Sequence, residues 1–223
     1  MLCVLASSSQ SGVAFAPRRR ASFFAAFGVA LLCLYASVCA QAQFHDTPAL
    51  HPPAGSHVAI VEFADLQCPA CAQANTLLEA AATRYKIPWV RHDYLIPYHL
   101  WSFNAAVKAR WFDTKSKALG DQYRDAVFAN QNTIYNLGML SQFTEKFARS
   151  HGIVMPTAID PQGKLAADVQ ADNALGKATG ITQTPTVFIV TSNNKGTPFI
   201  RVNDIGSQLN MVIDQAIANT RGR

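Results

Sequence analysis

Val58 to Arg84 reads VAIVEFADLQCPACAQANTLLEAAATR. Its first six residues, Val58 to Phe63, are rich in β-branched and aromatic side chains and predict a buried strand. A short turn leads to Cys68-Pro69-Ala70-Cys71. Beyond it, apolar residues at Ala70, Ala74, Leu77, Leu78 and Ala81 form the one-sided stripe of an amphipathic helix. The spacing puts both cysteines where a strand hands over to a helix. Pro69 suits the first helical position, which needs no amide hydrogen, so Cys68 becomes the N-cap and Cys71 lies in the first turn. Residues three apart there face the same way, with Cα atoms in disulfide range. Unpaired amide hydrogens and the positive end of the helix dipole favour thiolate at Cys68. Cysteines so placed have pKa values lowered to roughly 3.5–7.5, which makes Cys68 both a good attacking group and a good leaving group.

A Cys-x-x-Cys pair alone also fits a structural disulfide, half of a zinc site or two buried thiols. No second such pair exists, so a four-cysteine zinc site is excluded. The strand–turn–helix setting is the redox context for the motif. Of the five cysteines, Cys3, Cys33 and Cys39 fall before residue 43, leaving only Cys68 and Cys71 beyond it. A bridge closing so short a loop constrains the unfolded chain least, so the pair is a poor staple.

Arg18, Arg19 and Arg20 precede an uncharged run, Ala21 to Ala40, that ends in Ala40-Gln41-Ala42. A basic region, an apolar run and an Ala-x-Ala site predict a signal peptide over residues 1–42. The rival is an uncleaved N-terminal anchor, because the run is long enough to span a bilayer. Cleavage implies a periplasmic or other extracytoplasmic protein. No acid occurs before Asp46, and losing the three arginines takes the formal net charge from +5 to +2. No basic cluster remains that would suggest nucleic-acid binding.

Residues 43–56, with Pro48, Pro52, Pro53 and Gly55, read as an extended arm before a domain over 57–223. Ile87 to Ile96 predicts a second strand. Helical pattern then dominates about 98–180: Trp101 to Ala118, Asp121 to Ala129, Leu140 to Ser150 and Gly163 to Thr179. Strand character returns at Thr186 to Thr191 and Pro198 to Val202, and a last helix, Ser207 to Thr220, takes Ser207 as its N-cap. The fold class is α/β: one central mixed sheet flanked by helices, with β-α-β and β-β-α halves around an all-helical insertion. Glu62, the one charge in the first strand, is either solvated or a buried carboxylate beneath the cysteines, with its pKa raised and able to exchange a proton with Cys71. Trp101, Trp111 and Phe112 read as core of the helical block, and His92 as a strand residue facing solvent.

Glu62-Phe63-Ala64-Asp65-Leu66-Gln67-Cys68-Pro69-Ala70-Cys71 and, downstream, Gly180-Ile181-Thr182-Gln183-Thr184-Pro185-Thr186 resemble the DsbA-like thiol:disulfide oxidoreductases of the thioredoxin superfamily. The resemblance covers essentially all of the chain beyond the leader. It implies a redox-active Cys68–Cys71 disulfide, with Cys68 as nucleophile, Cys71 as resolving cysteine and Glu62 as buried acid/base. It further implies a substrate site lined by Pro69, Ala70, Thr184 and a cis Pro185, with no cofactor and no metal. The implied partners are reduced, folding exported proteins and a membrane reoxidase of the DsbB or VKOR type. The dipeptide departs from the family's best-known oxidases, where Pro-His stands in place of Pro69-Ala70. His99 resembles a histidine that recurs near this place; capping or packing the next helix is its other role. An exported reductase of the same fold is the first alternative. A metal-handling protein using the two thiols as soft ligands is the second.

Overall fold

The computed structural model describes residues 44–192 and 198–221. The expected leader, and with it the choice between cleaved signal and anchor, lies outside the described residues. Among them, no helix is long and apolar enough to cross a membrane.

Four strands form one sheet: β1 (Val58–Ala64), β2 (Trp89–Asp93), β3 (Thr186–Thr191) and β4 (Phe199–Val202), in the order β2-β1-β3-β4. β1 runs parallel to β2 and antiparallel to β3, and β3 runs antiparallel to β4. The sheet is therefore mixed, as the sequence predicts. Helix α1 (Pro69–Tyr85) crosses from β1 to β2, and α6 (Ile205–Arg221) closes the chain. Between β2 and β3 lie α2 (Ser102–Asp113), α3 (Lys117–Ala129), α4 (Leu137–Ser150) and α5 (Lys164–Thr179).

β1 is buried on both sides. Val58 and Ile60 face Leu78 of α1 and Ile213 of α6. Ala59, Val61 and Phe63 face Leu50, Tyr94 and Ile181. Strand alternation therefore decides the environment of Glu62. It shares the helix-covered side of Val58 and Ile60, where no solvent reaches it, and its exposure is 0%.

Three local expectations change. The helix expected over Trp101 to Ala118 breaks after Asp113. Ser116 turns out of the helix and its Oγ accepts the Leu119 amide at 3.1 Å, capping a new helix at Lys117. The last helix starts at Ile205 because Asp204 caps it, its carboxylate accepting the Ser207 amide at 3.3 Å. The proline-rich lead-in is docked: it contains a 3₁₀ turn at Pro48–Leu50, and Phe44 packs edge-on against Phe188 with centroids 5.0 Å apart.

Trp101, Trp111, Phe112 and Tyr123 fill a separate core within the helical block, next to the two cysteines. The block is fastened to the sheet edge by charge. Arg110 of α2 binds Asp93 at the end of β2 and Asp172 of α5. Asp172 also contacts His92 at 3.1 Å, so His92 does not face solvent but stacks on Phe63. Buried ion pairs lose much desolvation energy, so these fix geometry more than they stabilise.

Gly176 marks the closest approach of α5 to the sheet. A Cβ there would lie 2.5 Å from the Tyr94 ring, which is held in turn by its hydroxyl donating to the Ile181 carbonyl. Gly176→Ala should lower unfolding stability by about 1–3 kcal/mol through overpacking, although alanine is the better helix former. Urea denaturation checks this; an unchanged or raised midpoint would contradict the packing.

Candidate active site

The turn after β1 is built by Asp65, whose carboxylate accepts the amides of Gln67 at 2.7 Å and Ile96 at 2.8 Å. This Asx turn aims the chain so that α1 starts at Pro69 with Cys68 as its N-cap. The capping residue needs extended backbone, and Cys68 has φ −77° and ψ 118°. Cys68 and Cys71 are both buried free thiols here, and Pro69 and Ala70 between them are exposed.

Pro185 lies across from Cys68, and the Thr184–Pro185 peptide bond is cis. The Cys68 thiol donates to the Thr184 carbonyl at 3.4 Å. The Thr184 hydroxyl is buried and has no hydrogen-bond partner among the described residues. As a thiol, Cys68 gives its hydrogen to the Thr184 carbonyl; as a thiolate, it can receive one from the Thr184 hydroxyl.

The two sulfurs have opposite surroundings. The Cys71 thiol hydrogen bonds to Cys68, and this, with the Thr184 side chain and the Cys71 and Ala70 amides, outweighs burial and brings the Cys68 pKa down to about 5. Burial, the contact with Cys68 and the nearby Glu62 charge hold the Cys71 thiol far above the ordinary range. Glu62 completes the centre. Burial pushes its pKa up to about 7, against the pull of Arg91 and of the hydrogen bond from Trp89 Nε1 to Glu62 Oε2 at 3.1 Å.

Grooves flank the cysteines. One, of about 570 Å³, includes Cys68, Ile96, Tyr98, His99 and Thr184. Another, of about 490 Å³, runs from Ala70 past Leu77 to Pro185 and Arg201. A third, of about 480 Å³, borders Pro69 with Trp101, Phe128 and Tyr135. Tyr98, Leu100 and Tyr135 are 76%, 80% and 71% exposed, an unusual density of free apolar side chains around one spot. His99 Nδ1 sits 3.0 Å from Asp65 Oδ1, off the line of a hydrogen bond, and the imidazole edge joins the first groove.

The structure thus gathers Cys68, Cys71, Glu62, Pro69, Ala70, Thr184 and Pro185 in one place. Sequence reading missed Gln131, whose amide donates to the carbonyls of Leu66 at 2.9 Å and Cys68 at 3.1 Å and so ties the helical block to the active turn. No sequence signal marks it. The Asp65-x-Gln67 spacing, by contrast, is a readable Asx-turn signature. Among the described residues, no group of three or more His, Cys, Asp or Glu is placed to hold a metal ion.

The sequence model of the family described as Thioredoxin matches residues 54–201. No curated protein matches the chain. Among solved structures, the chain is similar to alpha-DsbA1 of Wolbachia pipientis: 16% identity, TM-score 0.58, covering 78% of this chain and 96% of that one. BdbD of Bacillus subtilis, in its oxidised form, aligns at 14% identity and TM-score 0.61, over 77% of this chain and 92% of its own. The thiol-disulfide exchange protein alpha-DsbA2 of Wolbachia pipientis aligns at 18% identity and TM-score 0.57, over 74% and 85%. At such identities the likeness carries the fold, including the helical insertion.

The Glu62 assignment has a signed consequence. Its folded pKa of about 7 lies above the ordinary 4.5, so the stability it contributes is present below about pH 4.5 and lost as pH rises through about 7. That displacement is worth on the order of 3 kcal/mol. The stability of Glu62→Gln relative to the parent should therefore rise by about that much between pH 4.5 and 8, measured by denaturant unfolding of the reduced proteins. A gap that stays constant with pH would contradict a buried, titrating Glu62.

Proposed function

The chain belongs to the thioredoxin family, and from that premise we propose that it is an exported thiol:disulfide oxidase acting through the Cys68–Cys71 pair on reduced cysteines of other exported proteins. The observation that carries this is the asymmetry of the two sulfurs: Cys68 is held as a thiolate with a pKa of about 5, while Cys71, one helical turn away, is held as a thiol. A protein whose reduced form is stabilised in this way gives its disulfide up readily.

The cycle balances as follows. A substrate thiolate attacks Cys68 Sγ of the Cys68–Cys71 disulfide. The sulfur–sulfur bond breaks and Cys71 leaves with the electron pair, taking a proton from the Glu62 carboxyl. The substrate's second thiolate then attacks the substrate sulfur of the mixed disulfide, releasing Cys68 as thiolate. The substrate loses two electrons and the enzyme gains them. A membrane reoxidase of the DsbB or VKOR type returns the pair to the disulfide. The leader composition supports export, and one structural relative is itself described as a thiol-disulfide exchange protein.

The exposed collar of Tyr98, Leu100 and Tyr135 suits unfolded polypeptide rather than a small molecule. The open grooves let a peptide lie alongside Thr184 and Pro185, with Pro69 and Ala70 at their mouth. A reductase remains the second reading, favoured by one feature: Ala70 supplies no charge or hydrogen bond where a histidine would help hold the thiolate.

The test is stoichiometric transfer. Oxidised protein mixed anaerobically with an equimolar reduced two-cysteine peptide should yield peptide disulfide and dithiol protein, and Cys68→Ser should abolish this. Cys71→Ser should instead accumulate a mixed disulfide with a disulfide-bearing peptide. A peptide that stays reduced against the fully oxidised parent would sink the oxidase reading.

A further inference from the structure

Two orphaned atoms belong to neighbouring strands behind the cysteines. Glu62 Oε1 is a buried acceptor and Arg91 Nη1 a buried donor, and neither has a hydrogen-bond partner among the described residues. Yet the parallel register of β1 and β2 pairs Glu62 with Arg91 directly. Leaving both groups unpaired is costly, so something holds them apart.

The restraint is visible. Arg91 lies flat over the Trp89 ring, 3.6 Å from its centroid, and Arg91 Nη2 donates to Asp125 Oδ1 at 2.9 Å. Trp89 meanwhile donates to the other oxygen, Glu62 Oε2. Asp125 comes from α3 of the helical block, and its side chain is 31% exposed where that of Arg91 is 9% exposed. The same Asp125 oxygen accepts from Asn75 Nδ2 at 3.1 Å, and Asn75 lies one turn beyond Cys71 on α1. One carboxylate from the insertion therefore grips both the guanidinium beside Glu62 and the helix that carries Cys71.

From this the geometry points to Asp125 as a positioning residue that diverts Arg91 from Glu62, so that the buried acid keeps the proton it must exchange with Cys71. The inference rests on the acid–base reading of Glu62. An arginine paired with Glu62 would lock it as a carboxylate, unable to protonate the leaving Cys71. With Arg91 committed to Asp125, burial prevails at Glu62 and its proton is held to about pH 7. The charged or titratable groups bearing on Glu62 are Arg91 from β2, Cys68 and Cys71 from α1 and Asp125 from α3. β3 sets only Val187 opposite it, and Leu209, Val212 and Ile213 of α6 bring no charge to this side.

Infrared titration of the buried carboxylic acid band in the full reduced protein tests this, with Glu62→Gln identifying the band by its loss. Asp125→Ala should move the Glu62 midpoint down by roughly 1–3 pH units as Arg91 turns to it. Asp125→Asn, which keeps the shape, should move it less in the same direction. In an Arg91→Met background, Asp125→Ala should move the midpoint much less, because only the weaker direct repulsion by Asp125 is then lost, and any slowing of glutathione reduction that Asp125→Ala causes at neutral pH should be largely relieved. An equal shift in both backgrounds would mean direct repulsion by Asp125 and overturn the role given to Arg91. No shift in either would overturn the role of Asp125. If Glu62→Gln removes no titrating band, the acid–base reading falls, and this proposal with it.

Discussion

The site depends on one constraint: two sulfurs a single helical turn apart must live at different electrostatic potentials. Cys68 sits at the end of α1, where amides converge and the Thr184 loop approaches. Cys71 sits three residues further in, fully buried, beside a carboxyl group. A helix N-terminus loses its positive potential within the first turn, so this short separation is enough. The rest of the molecule can be understood as holding the helix end, the Thr184–Pro185 loop and Glu62 in fixed relation.

The sheet does most of that holding. β1 delivers the active turn, β3 begins immediately after Pro185, and the antiparallel pairing of β1 with β3 brings Phe63 opposite Thr186. The cysteines and the proline, more than a hundred residues apart in sequence, therefore meet because their strands are neighbours. The helical insertion then does more than cover one end. Gln131 steadies the carbonyls of the active turn, and Asp125 sets the partner of Arg91. Trp101, Tyr98 and Tyr135 meanwhile shape an apolar rim around the sulfurs.

Much of this was legible in the sequence because it depends on local periodicity. The β1–α1 junction, Cys68 as N-cap and the Thr186–Thr191 strand follow from patterns a few residues long. The proline at the start of a strand marks Pro185, although only the structure gives its cis bond. Glu62 was readable as a choice between two fates, and burial by helices on its side of the sheet decides it. Helix boundaries were less legible: Ser116 and Asp204 cap with side chains whose geometry competes with helical continuation, so the pattern ran through one and past the other. Gln131, Arg91, Asp125 and Asn75 were not legible at all. Their roles come from contacts across the sheet or across the insertion, between residues 27 to 65 positions apart in sequence, and nothing in local composition encodes such pairs.

The central claim is that the reduced pair is stabilised by the Cys68 thiolate strongly enough to make the protein an oxidant, without a histidine between the cysteines. The equilibrium potential of the Cys68–Cys71 pair in a glutathione buffer series measures that stabilisation directly. The account predicts a value near the oxidising end of the family's range, about −120 mV. A value near thioredoxin's, about −270 mV, would show that the helix end and the Thr184 loop do not hold the thiolate, and would make this chain a reductase.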